Sequence, residues 1–191
     1  ILDYQTSTYE VKYTYQHLTT QNPLSPLTTA LEFRLSKANR KTTDTQTNQI
    51  LYLLKASKLF SLNQKNSFYL RIQAQGIDSD SYLLNELIRF GGINSIRGFE
   101  ENSIATNKLF LINTEYRIKL NNDIYINTIF DTAYYENTLA NIRDNIYGVG
   151  FGLNINTNSG VFRLNYANGT RKGQDIDLKL SKIHVSFSNI F

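Results

Sequence analysis

The chain has 191 residues, which predicts a single domain, and its formal net charge of +4 is too small to predict a nucleic-acid-binding protein. It contains no cysteine and only two histidines, which excludes disulfides, thiolate metal sites and thiol catalysis. No uninterrupted apolar run of about 18 residues is present, so a transmembrane helix is excluded. A membrane-spanning barrel is not excluded, because its strands carry apolar residues only at alternate positions.

Apolar and polar residues alternate with a period of two along most of the chain, and this pattern predicts about nine β-strands. In the first of them, three tyrosines and a valine alternate with polar residues. Several of the strands reach the roughly 9–11 residues that a tilted barrel strand needs to cross a bilayer. In chain order, the predicted strands occupy residues 9–16, 31–36, 50–57, 68–75, 110–119, 124–134, 147–156, 162–167 and 183–191.

The connections between these strands differ in predicted length in a regular way. Long connections are predicted at residues 38–48, 77–106, 136–145 and 168–181, and short ones at residues 20–26, 62–66, 121–123 and 157–160. Long connections on one side and short ones on the other are typical of an up-and-down barrel in an outer membrane. The alternation therefore favours an antiparallel transmembrane β-barrel over a soluble β-barrel that buries its apolar face and binds a ligand.

The longest connection carries two short motifs, Phe90-Gly91-Gly92 and Ile96-Arg97-Gly98-Phe99. The strands after it contain NTEYRI with Glu115, TIFDTAYY with Asp131, and a glycine-rich segment at residues 148–169. In this order, the motifs resemble those of the outer-membrane assembly-factor superfamily, which includes BamA, TamA and the two-partner secretion transporters. The resemblance covers nearly the whole chain. It departs from the family pattern at Ala133 and Ser188, where glycine is usual.

Charge and register suggest what the arginine of the second motif contacts. Glu115 and Asp131 lie on the polar face of successive strands, so both side chains can project to one point. The resemblance implies that the long connection folds back into the barrel, where Arg97 pairs with both acids as a conformational latch and Phe99 packs against the wall. A guanidinium in such a narrow interior requires carboxylate partners. Three glycines supply the backbone freedom of this loop: Gly91, Gly92 and Gly98.

The last predicted strand carries a second signal. Ile183, Val185 and Phe187 alternate with polar residues, and the chain ends on the aromatic residue Phe191. This pattern resembles the insertion signal by which outer-membrane barrels are recognised during assembly. Recognition by strand addition fits it, because backbone hydrogen bonds give affinity and alternate side chains give register.

No pattern in the sequence indicates catalysis. There is no nucleophile–base pair, no pair of candidate catalytic carboxylates, and no cluster with the spacing of metal ligands. We therefore expect no enzymatic activity, no catalytic residue, no metal and no cofactor. The sparse basic residues also predict no nucleic-acid partner.

These observations predict that residues 1–191 are one carboxy-terminal portion of a barrel of about sixteen strands, without POTRA repeats. The expected location is the outer membrane of a Gram-negative bacterium. The expected partners are outer-membrane lipid and unfolded barrel or secreted polypeptide clients. We also expect the open sheet edge at residues 7–16 to pair with another copy or with a closing strand. The alternative function is a passive pore, or a membrane anchor for a separate domain such as a hydrolase.

Overall fold

The structure is a computed structural model that describes residues 4–18, 27–43, 45–157 and 159–188. In this part of the chain, nine strands form one antiparallel sheet in the order β1-β2-β3-β4-β7-β8-β9-β10-β11, and β5 pairs with β6. The predicted all-β, antiparallel, up-and-down fold class is thereby confirmed. The strands are β1 (Gln5–Leu18), β2 (Leu27–Lys41), β3 (Gln46–Ser61), β4 (Asn66–Ser79), β5 (Ile88–Phe90), β6 (Ile104–Thr106), β7 (Lys108–Lys119), β8 (Ile124–Asn137), β9 (Ile142–Thr157), β10 (Gly160–Arg171) and β11 (Lys182–Ser188).

The two faces of the large sheet differ in polarity, as the period-two pattern predicts. One face, called the outer face here, exposes large apolar side chains, among them Phe130 and Phe151, the latter 63% exposed. The opposite, inner face carries polar residues such as Asn113 and Asp131, which are buried. A soluble barrel would bury the apolar face, so this arrangement is the opposite of what a soluble barrel requires.

Two predicted long connections are wrong. β2 continues to Lys41 and β3 begins at Gln46, so residues 42–45 replace the predicted connection at 38–48. Similarly, only residues 138–141 join β8 to β9, in place of the connection predicted at 136–145. Polar residues occupy both faces at these strand ends, so hydropathy carries no strand signal there, although backbone pairing continues. Two connections remain long, residues 80–107 and 172–181.

The long loop, residues 80–107, joins β4 to β7 and contains the β5–β6 hairpin. It packs on the inner face of the sheet and forms a buried apolar cluster with it. Fully burying an aliphatic side chain contributes about 1.5–3 kcal/mol, so this cluster stabilises the position of the loop. The loop contributes Phe90, Ile96 and Ile104, and the sheet contributes Leu109, Leu111, Ala133, Tyr135 and Ile146.

In the described residues, helical structure is limited to a three-residue 3-10 turn at Leu178–Leu180. No helix in these ranges is long and apolar enough to cross a bilayer. The predicted turn at residues 20–26 and the terminal Phe191 both lie outside the described residues.

Candidate functional site

The loop tip, residues 96–99, lies directly on the backbones of β9 and β10. A Cβ atom on Gly98 would collide with the backbone of Asn168 and Gly169, and one on Gly148 would collide with the carbonyl oxygen of Arg97. Gly98 also has a φ of +92°, a conformation that glycine adopts without steric strain. Glycines on both sides of the contact therefore allow backbone to touch backbone.

Arg97 is held by carboxylates from two neighbouring strands. Its backbone N–H and its Nε donate to Oδ2 of Asp131 over 3.0 and 2.8 Å, and its Nη2 donates to Oδ1 over 2.6 Å. Its Nη1 donates to Glu115, which also accepts a hydrogen bond from Nε of Arg117 over 2.7 Å. β7 supplies Glu115 and β8 supplies Asp131, so the register of this strand pair brings both acids to one guanidinium.

The resulting ionic network is buried. Asp131 has 0% of its side chain exposed and Arg97 has 5%. Burial by itself lowers the pKa of the Arg97 guanidinium, but the hydrogen bond to Asp131 and the negative charge of Glu115 raise the pKa above its ordinary value. Removing one partner of such a pair leaves an uncompensated buried charge and costs about 3–5 kcal/mol. The network can therefore hold the loop tip in one position.

A second set of contacts, which the sequence did not indicate, holds the loop just before its tip. Nη2 of Arg71 donates to the carbonyl oxygens of Asn94 and Ser95 over 2.9 and 3.3 Å. Nδ2 of Asn113 donates to the same Ser95 carbonyl over 2.7 Å, while its Oδ1 accepts from Nε of Arg71. The available signal was the position of Arg71 on the polar face of β4, but nothing in the sequence indicated its partner.

The remaining loop residues of the predicted site occupy the turns around the tip. Gly91 and Gly92 have φ values of +117° and +92°, and they face the carbonyl oxygen of Glu100 and the side chain of Glu101 respectively. Phe99 packs against the buried apolar cluster. The structure thus brings all five predicted loop residues and both predicted acids into one region. Their role as a latch stays a prediction.

The predicted insertion signal lies apart from this region. Ile183, Val185 and Phe187 point to the outer face of β11 and are exposed, while Phe191 lies outside the described residues. The role of these residues in barrel assembly also stays a prediction.

The inner face of β11 carries two contacts with the loop that the sequence did not indicate. The backbone N–H of Gly98 donates to Nε2 of His184 over 3.1 Å, and Nζ of Lys182 lies 2.8 Å from Oε1 of Glu100. The hydrogen bond from Lys182 lowers the pKa of the Glu100 carboxyl below its ordinary value. The last strand is therefore tied to the loop tip by side chains.

A separate buried ion pair anchors the beginning of the long loop. Arg40, at the end of β2, pairs with Glu86 and donates to Oγ of Ser81 over 2.6 Å. Glu86 also accepts from the side chain of Gln49 and from the backbone N–H of Leu83, over 3.2 and 3.1 Å. This cluster lies at residues where the sequence predicted a connection instead of paired strands, which is why it was missed.

The contacts of these groups bear on the conformation of the loop. The carboxylates at the loop tip are occupied by guanidinium donors, which leaves them poorly suited to proton transfer. In the described ranges, no group of three or more His, Asp or Glu residues has the geometry of a metal site. The arrangement can hold or release a loop.

A family model, that of the Omp85 superfamily domain, matches residues 43–191, which include the loop tip, both acids and the last strand. The match agrees with the resemblance found in the motifs and confirms it. No curated protein is significantly similar to the chain.

Proposed function

Because the chain belongs to the Omp85 superfamily, we propose that it is part of an outer-membrane barrel that inserts barrel proteins into the membrane or translocates polypeptides across it. The superfamily is an outer-membrane family of insertion and translocation factors. The observation that carries the proposal is the network in which Arg97, on the long loop, meets Glu115 and Asp131 on the next two strands. In the proposed mechanism, this network is a latch that holds the loop against the inner face.

The edges of the sheet provide the second element of the proposal. β1 and β11 are the end strands, and each has one edge to which no strand among the described residues pairs. Unpaired backbone groups at such an edge are a template for another strand. We propose that the nine strands form the carboxy-terminal part of a larger barrel, and that an unfolded client strand enters at a weakly closed edge. Pairing of β1 with a second copy is the alternative use of that edge.

The exposed apolar rows of the outer face support a location in the outer membrane. Side chains such as Phe130, Phe151 and Val185 are more than half exposed on that face and are apolar enough to contact hydrocarbon. Outer-membrane lipid is therefore the proposed partner of the outer face.

Substitution of Arg97 tests the latch. In the full-length protein, Arg97→Ala removes the cation from a site with two buried acids, and we expect loss of outer-membrane protein assembly or of secretion. The matched control is Arg143→Ala, which removes an arginine that is 77% exposed and 3.8 Å from Glu136. Unchanged activity of Arg97→Ala at normal protein levels would reject the latch.

A passive pore or membrane anchor is the second candidate. This candidate is favoured by the buried apolar cluster between the long loop and the sheet. A loop that closes the barrel permanently also has to pack its apolar residues against the sheet. Ion conductance in planar bilayers, together with unchanged outer-membrane protein levels after depletion of the protein, would support this candidate over the insertase or transporter.

A further inference from the structure

The loop tip contacts each of the four strands that follow β7 in the sheet, from β8 to β11. Arg97 reaches Asp131 on β8, its carbonyl lies on Gly148 of β9, and Gly98 lies on the backbone of β10. The next contacts fall on β11, where His184 accepts from the N–H of Gly98. The tip therefore touches both the ionic network and the end strand of the sheet.

Within the described ranges, β11 is paired with a single strand. It has seven residues, pairs along one edge with β10, and exposes its apolar side chains on the outer face. The side chains of Lys182 and His184 both leave its inner face and reach the loop, at Glu100 and Gly98. One contact is an exposed ion pair of modest strength, and the other satisfies a backbone N–H of a buried glycine.

We propose that His184 and Lys182 are positioning residues that couple the seating of the loop tip to the docking of the end strand β11. This inference deepens the proposed function, on which it rests, because it links the Arg97 latch to the sheet edge at which a client strand would enter. Thermodynamic coupling is reciprocal, so release of the tip weakens the docking of β11 by the same factor by which release of β11 weakens the seating of the tip.

The hydrogen bond specifies the chemical state of the histidine. Nε2 accepts a hydrogen bond from the N–H of Gly98, so it carries no proton itself, and the imidazole is neutral with its proton on Nδ1. An amide oxygen at the end of a glutamine side chain is also an acceptor. A leucine fills similar volume but has no acceptor, which leaves the buried N–H of Gly98 without a partner. Comparison of these two substitutions isolates the hydrogen bond from packing.

Amide hydrogen exchange in the full-length protein in lipid nanodiscs measures both segments, the loop tip and residues 182–188 of β11. We expect His184→Leu to speed exchange in both segments by roughly 5- to 100-fold, the range for losing one buried hydrogen-bond partner. His184→Gln is expected to restore most of the protection. Rescue by the glutamine variant distinguishes an acceptor role from simple space filling.

The ion pair offers a second set of variants if the leucine substitution prevents folding. Lys182→Glu and Glu100→Lys each place like charges together, and both are expected to speed exchange in both segments. The double variant, Glu100→Lys with Lys182→Glu, restores opposite charges and is expected to restore protection. A double variant as unprotected as the single ones would overturn the part of the proposal that concerns Lys182.

The deciding variant is substituted at a residue outside β11. Asp131→Asn alters the ionic network, and the proposal requires it to speed exchange in residues 182–188. Asp144→Asn, which alters an ion pair with Arg171 outside the network, is expected to leave β11 unchanged. If Asp131→Asn affects the tip alone and His184→Leu affects β11 alone, the coupling does not exist. Loss of the latch function in Arg97→Ala is measured separately by client assembly, so failure of the proposed function is distinguishable from failure of the coupling.

Discussion

Asp131→Asn perturbs the site with the smallest change in shape. The carboxylate accepts three hydrogen bonds from Arg97, over 2.6–3.0 Å, and its side chain is fully buried. The asparagine keeps the volume but removes the charge, and its NH₂ group faces other donors. Breaking a buried pair costs about 3–5 kcal/mol, and we expect the lower end because Glu115 still contacts the guanidinium.

This cost has a measurable consequence for the loop tip. A change of about 1.4 kcal/mol in the free energy of local opening changes the exchange rate about tenfold. A loss of about 3 kcal/mol therefore predicts that the tip amides exchange about 100-fold faster, or as fast as unprotected amides. The assay is hydrogen exchange followed by mass spectrometry on the full-length protein in lipid nanodiscs. The backbone N–H of Arg97 is the most informative group, because Asp131 is its acceptor.

Asp144→Asn is the matched control for this prediction. Asp144 lies on the neighbouring strand β9 and accepts from Arg171 over 2.7 Å, but these side chains are 23% and 42% exposed. Partly exposed pairs contribute about 0–1 kcal/mol, so we expect less than about fivefold faster exchange. Two results would refute the reasoning that burial makes the Arg97 network strong. One is tip exchange in Asp131→Asn within threefold of the wild-type rate, and the other is an equally large effect of Asp144→Asn.

Three further predictions follow from other contacts. Gly148→Ala places a Cβ against the carbonyl of Arg97, and overpacking of about 1–3 kcal/mol is expected to speed exchange at the loop tip at least fivefold; unchanged protection would contradict the contact. Arg40→Gln removes the buried cation that pairs with Glu86, whose side chain is 12% exposed, and is expected to speed exchange in residues 81–87 by about 100-fold but not at the tip. An equal rise in both segments would show that the two anchors are one unit. If the outer face contacts lipid, Phe130→Arg is expected to lower the free energy of unfolding by about 2–4 kcal/mol. The folded fraction, measured as heat-modifiable mobility in gels, is then expected to fall. Gln73→Arg on the inner face is its control, and equal folding of the two variants would rule out contact of Phe130 with hydrocarbon.

Local alternation was enough to predict the nine strands of the large sheet and the faces of most of them. Residues 50–54 are apolar almost throughout and left the facing of β3 ambiguous, and the short strands β5 and β6 were not predicted. Side chains along a strand point alternately to opposite faces, so the two-residue period in Ile124–Asn137 by itself identified Phe130 as outer and Asp131 as inner. The same period placed Glu115 and Asp131 on one face, and the resemblance to the assembly-factor superfamily linked Arg97 to them. These features depend on neighbours along the chain and on pairing of consecutive strands.

The positions of strand ends were not predictable in this way. Ala38 and Arg40 are buried although the surrounding residues are polar, and the beginning of the long loop contacts Arg40 through Ser81 and Glu86. Likewise Leu111 and Ile146 interrupt the polar inner row, and they do so because the loop brings its own apolar residues to them. A period-two pattern cannot distinguish a residue that faces water from one that faces a loop.

By itself, the sequence determined the fold class, the polarity of the two faces and the residues of the loop tip, because alternation and motif order are properties of neighbouring positions. Only the tertiary structure decided the contacts of the loop with Arg71, Asn113 and the end strand β11. Gly98 and His184 are 86 positions apart, and their hydrogen bond exists because the strands from β7 to β10 pair in register and carry β11 to the place where the loop tip lies. No local pattern encodes that distance.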